Sequence, residues 1–139
     1  MDDRDVSTLG QRAARLRALD LFATLGGAEL ERLARGLVAL RYLSGAAIIR
    51  EGDQSDYFYI VVTGEVEVDR GGRVVAVRGP GEYFGEIALL HGIPRTATVL
   101  ARTVVSLYAL DGTSFVAAAT ADANSRRVAA AVVAERLAS

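Results

Sequence analysis

Hydrophobic and polar positions divide the chain into a helical start, a strand-rich middle and a helical end. In the first zone, residues 1–40, apolar side chains recur at the spacing of one helix face. The two stripes consist of Leu9, Ala13, Leu16 and Leu19, and of Leu30, Leu33 and Leu37. Gly26-Gly27 separates the stripes. The pattern predicts two N-terminal helices whose apolar faces pack against the next zone.

The middle zone, residues 41–110, is typical of short strands separated by glycine turns. Its β-prone runs are 47–49, 57–62, 65–69, 74–77, 96–100 and 103–110. Residues 65–69 alternate polar and apolar, as a strand with one wet face does. Gly71-Gly72 marks a hairpin loop. Many short strands at this spacing indicate an antiparallel β-barrel, roll or sandwich.

The third zone, residues 111–139, returns to a helical pattern. An alanine-rich stretch follows Phe115, and Asp122 or Asn124 could cap a last helix. The apolar residues of that helix are Val128, Val132, Val133 and Leu137. We find no internal repeat and no low-complexity linker, so the 139 residues are predicted to form a single α+β domain.

Composition narrows the function classes. The chain is 51% hydrophobic and 24% charged, as in soluble globular proteins. A net charge of −1 argues against a nucleic-acid partner, because phosphate neutralisation needs a basic surface. Cysteines are absent. No apolar run approaches the roughly 20 residues of a membrane span, and the acidic start Met1–Asp5 is unlike a signal peptide. We therefore expect a cytoplasmic chain without direct membrane insertion.

Residues 84–99, FGEIALLHGIPRTATV, carry the chemistry. Gly85 allows the backbone to approach a ligand closely, and Glu86 follows it at a predicted helix start. Arg95, nine residues later, offers a fork of donors that suits phosphate oxygens. Glu86 can accept a hydrogen bond from a ribose 2′-hydroxyl and can also pair with Arg95. We interpret this segment, called the cassette below, as a cradle for a nucleoside monophosphate.

Plainer interpretations exist for each part of the cassette. An isolated Arg–Glu pair is more often a surface ion pair of small energetic value, and the glycines could serve turns alone. A metal site of the cupin type needs several histidines, whereas the chain has only His91. Ser-His-Asp catalysis would also need His91, and no serine lies in a nucleophile turn. We therefore predict neither a metal site nor an enzyme.

The cassette resembles the phosphate-binding cassette of cyclic nucleotide-binding domains. These domains occur in kinase regulatory subunits, nucleotide-gated channels and bacterial catabolite activators. The similarity extends from about Leu19 to Phe115 and includes Glu51-Gly52-Asp53, Gly64-Glu65-Val66 and Gly79-Pro80-Gly81. It implies an antiparallel β-roll, a double-stranded jelly-roll-like barrel, flanked by N-terminal and C-terminal helices.

The resemblance also implies a ligand site for a cyclic nucleotide, with no further cofactor. Phosphate and ribose contacts are expected from Phe84, Gly85, Glu86, Ile87, Ala88, Arg95, Thr96 and Ala97. Val68 and Ala76 are expected to form an apolar wall under the base and the sugar. A residue of the last helix should cap the base. Arg136 could stack on a purine face, and the other candidates are Val132, Val133 and Leu137.

The sequence also bears on the choice of nucleotide and on how binding is transmitted. In the family, a hydroxyl at the position of Thr96 can hold the 2-amino group of cGMP. The bacterial-looking composition, with arginine as every basic residue, favours cAMP, with cGMP as the alternative. Closing of the last helix over the ligand would transmit binding to an effector domain or membrane protein outside this sequence.

Two other functions fit the sequence less well. A DNA-binding regulator of the catabolite-activator type needs a helix-turn-helix after the last helix, for which we find no segment. A β-roll that has lost its ligand could act as a protein-interaction module. The intact pair Glu86 and Arg95 argues against the second.

Overall fold

The computed structural model describes residues 7–138, so the acidic start Met1–Asp5 lies outside the described residues. The helices are α1 (Leu9–Arg17), α2 (Gly27–Arg35), α3 (Glu86–His91), α4 (Gly112–Ala119) and α5 (Ala123–Ala138), with a short 3-10 helix at Asp20–Phe22. The strands are β1 (Val38–Tyr42), β2 (Ala47–Ile49), β3 (Tyr57–Thr63), β4 (Val66–Arg70), β5 (Arg73–Arg78), β6 (Tyr83–Phe84), β7 (Thr98–Ala101) and β8 (Val105–Asp111). The predicted order of helices, β-roll and helices is confirmed.

Two four-stranded antiparallel sheets form the β-roll. Their strand orders are β1-β8-β3-β6 and β2-β7-β4-β5. The core inside the roll includes Ile49, Tyr59, Val61, Val66, Phe84, Val99 and Leu107. Alternate residues of β3 and β8 point out of the roll and meet the helices, because successive side chains of a strand face opposite sides. There Phe58 stacks on Phe115 with ring centroids 4.2 Å apart.

The N-terminal helices form where the apolar stripes predict them. Thr8 begins α1 with a capping box, since its side chain accepts from the Gln11 amide and the Gln11 side chain accepts from the Thr8 amide. Leu16, Leu30 and Leu33 are buried against the roll, as the stripes predict.

Two strands were not predicted. β1 begins at Val38, three residues before the predicted boundary at residue 41, so that boundary is corrected. Its first three residues, Val38, Ala39 and Leu40, are all apolar, so the sequence shows no alternation from which to predict the strand. β6 has only two residues, Tyr83 and Phe84, too few to show any period.

A β-bulge shapes the hairpin of β4 and β5. Val68 pairs with Ala76, whereas the next residue, Asp69, pairs with Val74, so Val75 is an extra residue. Cross-strand partners face the same side of a sheet. Arg78 pairs with Val66, which is fully buried in the roll, and therefore points inward from β5.

The C-terminal helices pack against the same face of the roll as the N-terminal helices. The Asp111 side chain caps α4 by accepting from the Ser114 amide at 2.9 Å. Of the two predicted caps for α5, Asp122 fills the role by accepting from the Ser125 amide at 2.7 Å, while Asn124 lies inside the helix. Within residues 7–138, no helix is both long and apolar enough to cross a membrane.

Candidate functional site

One cleft brings together the cassette residues, the wall residues Val68 and Ala76, and Arg136 that the sequence predicts for a ligand site. It opens between the cassette, the inner face of β4 and β5, and the last turns of α5. Its lining comprises Ile49, Val68, Arg70, Val75, Ala76, Arg78, Phe84, Gly85, Glu86, Ile87, Ala88, Arg95, Thr96, Ala97, Val99 and Arg136. It encloses about 540 Å³, a volume that includes open solvent at its mouth. Whether these residues bind a ligand stays a prediction.

Gly85 precedes α3 in a backbone conformation that other residues avoid. Its φ is 92°. A Cβ at this position would lie 3.0 Å from Arg95 Nη1 and 3.2 Å from the Tyr57 carbonyl oxygen. Glycine therefore serves two needs here, the left-handed conformation and the close packing of Arg95 behind the helix start.

Arg95 is buried, and backbone carbonyl oxygens hold its guanidinium in place. Its exposure is 5%, and its guanidinium donates to the carbonyl oxygens of Gly85, at 2.9 Å, and Tyr57. The Arg95 amide donates to the Asp53 carbonyl oxygen at 2.7 Å, which attaches the cassette to the turn after β2. Burial lowers the pKa of Arg95, while nearby Tyr59, Asp56 and Glu86 oppose the change. An arginine remains charged under these conditions, so Arg95 supplies a positive charge to the cleft.

The predicted ion pair between Glu86 and Arg95 is wrong. Glu86, with 2% exposure, accepts instead from Arg136 Nη1 at 2.9 Å. The guanidinium of Arg95 donates instead to the carbonyl oxygens of Gly85 and Tyr57, and it lies 3.8 Å from Asp56 Oδ1. The carboxylate of Glu86 therefore pairs with Arg136 of α5 and not with Arg95.

Arg136 joins three parts of the molecule. The same Nη1 atom donates to the Tyr83 carbonyl oxygen at 2.9 Å, and the guanidinium lies 4.2 Å from the centre of the Tyr83 ring. The Tyr83 hydroxyl donates to Asp20 Oδ1 at 2.8 Å, in the 3-10 helix. Burial and this hydrogen bond raise the pKa of Tyr83. Asp20, Tyr83, Arg136 and Glu86 therefore form a continuous chain of contacts from the N-terminal helices to the cassette.

The other three candidates for the base cap lie elsewhere. Val132 and Val133 are buried, and Val132 belongs to the core between the helices and the roll. Leu137 is 47% exposed and does not line the cleft. Of the four candidates, Arg136 is the one that reaches the cleft.

Two arginines of the cleft were missed. Arg70 and Arg78 line it from β4 and β5, and the Nε atom of each is buried without a hydrogen-bond partner. The alternation of residues 65–69, extended by one residue, would have placed Arg70 on the face of Val66 and Val68. The same step finds Arg78, which lies one residue past the predicted run 74–77 and two residues beyond Ala76, on the same face of β5.

The chemistry of the cleft suits an anion that also carries hydroxyl groups. Four arginine side chains line it against one buried carboxylate, Glu86. An acceptor-only carboxylate holds a hydroxyl, and guanidinium groups hold phosphate oxygens. Among the described residues, no group of three or more His, Cys, Asp or Glu side chains could hold a metal ion.

Comparisons with known proteins agree on one family. The family model described as "Cyclic nucleotide-binding domain" matches residues 39–122. A cAMP-dependent protein kinase regulatory subunit from Yarrowia lipolytica is 40% identical over 102 residues, covering 72% of this chain and 27% of the relative. A cyclic nucleotide-gated potassium channel from Mesorhizobium japonicum is 44% identical over 98 residues, covering 70% of this chain and 27% of the relative. The chain thus spans about a quarter of the length of each relative.

A solved structure agrees on the fold. The regulatory domain of Toxoplasma gondii PKA, crystallised with cAMP, superposes with a TM-score of 0.79. It is 24% identical, and the match covers 94% of this chain and 50% of that one.

Proposed function

Because this chain belongs to the cyclic nucleotide-binding domain family, we propose that it is a regulatory sensor whose cleft binds a cyclic nucleoside monophosphate. We propose cAMP as the favoured ligand and cGMP as the alternative. One observation carries the proposal: Glu86 and Arg95, 2% and 5% exposed, line the same cleft. A guanidinium donates to phosphate oxygens and a carboxylate accepts from a hydroxyl, so the two side chains present both kinds of partner to one ligand.

Each part of the ligand has a partner in this proposal. The cyclic phosphate meets the guanidinium of Arg95, beside Thr96 and Ala97. The ribose 2′-hydroxyl donates to Glu86, which has a second carboxylate oxygen beside the one that Arg136 contacts. The sugar and base lie over Val68 and Ala76, and the plane of Arg136 can stack on the purine.

Transmission is proposed to run through α5. Arg136 is the side chain of α5 that contacts the cassette at Glu86, and it also contacts Tyr83. A ligand that binds better when this contact is in place pulls α5 toward the roll. We propose that the moving helix acts on an effector domain or a membrane protein. We propose no catalytic activity for the chain, and its cytoplasmic location stays a prediction.

Calorimetric titration of the purified protein with cAMP and cGMP tests the proposal. We expect saturable binding that weakens by about tenfold or more in Arg95→Ala, because charge-assisted hydrogen bonds to phosphate contribute about 1.5–3 kcal/mol. Arg102→Ala is the matched control, since Arg102 is exposed and outside the cleft. Unchanged affinity in Arg95→Ala would show that the cassette is misassigned. Folded wild-type protein that binds neither nucleotide would favour the interaction module.

Titration with 2′-deoxy-cAMP tests the ribose contact. Wild-type protein should bind 2′-deoxy-cAMP about tenfold more weakly than cAMP, because Glu86 then has no hydroxyl to accept from. Glu86→Ala should bind the two ligands with equal affinity. Equal affinities in the wild type would remove Glu86 from the site.

A further inference from the structure

Arg78 lies at one end of the apolar wall of the cleft. It points inward beside Val66, two residues beyond Ala76 on the same face of β5. It lines the cleft and also an adjoining cavity between β5 and α5, which Val132 and Arg136 line from the helix. The side chain therefore stands where the roll meets the last helix.

The guanidinium of Arg78 has few partners within the protein. Its Nε is buried and makes no hydrogen bond. Its ion partner, Glu82 Oε2, is 3.8 Å away on a side chain that is 49% exposed. Burial, and then the like charge of Arg136, lower the pKa of Arg78. Buried donors without acceptors are costly, so a ligand that brings acceptors would relieve the cost.

The strand register separates Arg78 from the phosphate end of the cleft. Val68 pairs with Val99 and Asp69 with Thr98, so the next residue, Arg70, lies toward Ala97 and the cassette. Arg78 pairs with Val66, four residues away from Arg70 along β4, which is about 13 Å in a strand. A nucleotide with its phosphate on Arg95 and its sugar over Val68 and Ala76 would extend its base toward Arg78.

We propose that Arg78 is a specificity-determining residue that contacts the purine edge and raises the affinity for cGMP relative to cAMP. A guanidinium only donates. Guanine presents two acceptors, O6 and N7, whereas adenine presents N7 beside the N6 amino group, which is itself a donor. The fork of Arg78 therefore matches guanine and meets one mismatched group on adenine. This inference rests on the proposed function. It leaves cAMP the favoured ligand but makes the difference in affinity between cAMP and cGMP smaller.

The test compares three nucleotides in the wild type and in Arg78→Leu. They are cAMP, cGMP and cyclic inosine monophosphate, which keeps O6 and N7 but lacks the 2-amino group. Arg78→Leu should weaken cGMP and cyclic inosine monophosphate by about tenfold relative to cAMP, the scale of a bidentate base contact. Thr96→Ala should weaken cGMP alone, because the guanine 2-amino group would lose the threonine hydroxyl as an acceptor.

Arg70→Leu is the matched control. It removes the same charge from the phosphate end of the cleft, so it should change the affinity for all three nucleotides by one common factor. Arg78→Lys keeps the charge but loses the planar fork of donors. It should therefore also weaken cGMP and cyclic inosine monophosphate relative to cAMP. It replaces Arg78→Leu in the test if that variant does not fold.

The outcomes separate the two proposals. Wild-type binding with an unchanged cGMP-to-cAMP ratio in Arg78→Leu and Arg78→Lys would overturn the role of Arg78 and leave the sensor function standing. An equal change of ratio in Arg70→Leu would also overturn it, because charge rather than position would then be responsible. Absence of any binding by the wild type would remove both proposals.

Discussion

The contact between Glu86 and Arg136 should make a large contribution to the stability of the unliganded protein. We consider Glu86→Gln, Arg136→Met and the double variant. Glu86 is 2% exposed and the Arg136 side chain 18%, so the pair is largely shielded from water. Removing one member of such a pair leaves the other charge buried, which typically costs about 3–5 kcal/mol. We expect the lower end of that range, because Arg136 keeps some access to water.

The coupling between the two residues follows from the same geometry. The hydrogen bond from Arg136 Nη1 to Glu86 Oε1 is 2.9 Å long and joins two charged groups. Such bonds contribute about 1.5–3 kcal/mol. If each single substitution costs about 3 kcal/mol, the double variant should cost about 4 kcal/mol, and the coupling energy is about 2 kcal/mol.

Urea unfolding of the four proteins at pH 7 without nucleotide measures this coupling. The free energies of unfolding form a double-mutant cycle, which cancels effects that each substitution has by itself. Arg136→Met also loses the contact with Tyr83, but that loss appears in both arms of the cycle and drops out. A coupling energy below about 0.5 kcal/mol, the limit of additivity for independent sites, would refute the pairing of Glu86 with Arg136.

Two further substitutions test the cassette and a helix cap. Gly85→Ala should lower the free energy of unfolding by more than Gly81→Ala does. Both glycines have positive φ, but of the two only Gly85 has atoms within 4 Å of the added Cβ. Equal losses in urea unfolding would contradict the close packing of Arg95 against Gly85. Asp111→Ala should cost about 1 kcal/mol at pH 7, the usual value of an N-cap. Hydrogen bonds from Ser114 lower the pKa of Asp111 below its ordinary 3.8, so the stabilisation is present above that value and is lost as the pH falls through the folded pKa. The difference between wild type and variant in urea unfolding should therefore shrink toward pH 2.5, and a constant difference would contradict the role of the carboxylate.

Local patterns were sufficient for most of the fold. The strands at 47–49 and 57–62 and the helix start at Glu86 each depend on neighbours in sequence, and such features can be predicted from spacing and turn residues. The cassette could be recognised for the same reason. Its chemical groups lie within one continuous segment, between Phe84 and Val99.

Contacts between distant segments could not be predicted. Glu86 and Arg136 are fifty residues apart, and their pairing depends on where α5 crosses the roll. Arg95 has two carbonyl partners nearby, one of them from β3, and no sequence pattern shows that these would compete with Glu86 for its guanidinium. Arg78 was missed because the apolar run 74–77 ends one residue before it, although it lies on the same face of β5 as Ala76.

That extra residue, Val75, also separates the loop of the hairpin from the wall of the cleft. On one side of it, Val66 and Val68 remain paired with Arg78 and Ala76. On the other side, the chain turns through Gly71-Gly72 at the surface. A residue added or lost in the turn can be taken up at the bulge, so the inward-facing side chains need not move to the opposite face. The Gly71-Gly72 turn is therefore a place where a reporter peptide or a fluorescent label could be inserted while the residues proposed to contact the nucleotide keep their register.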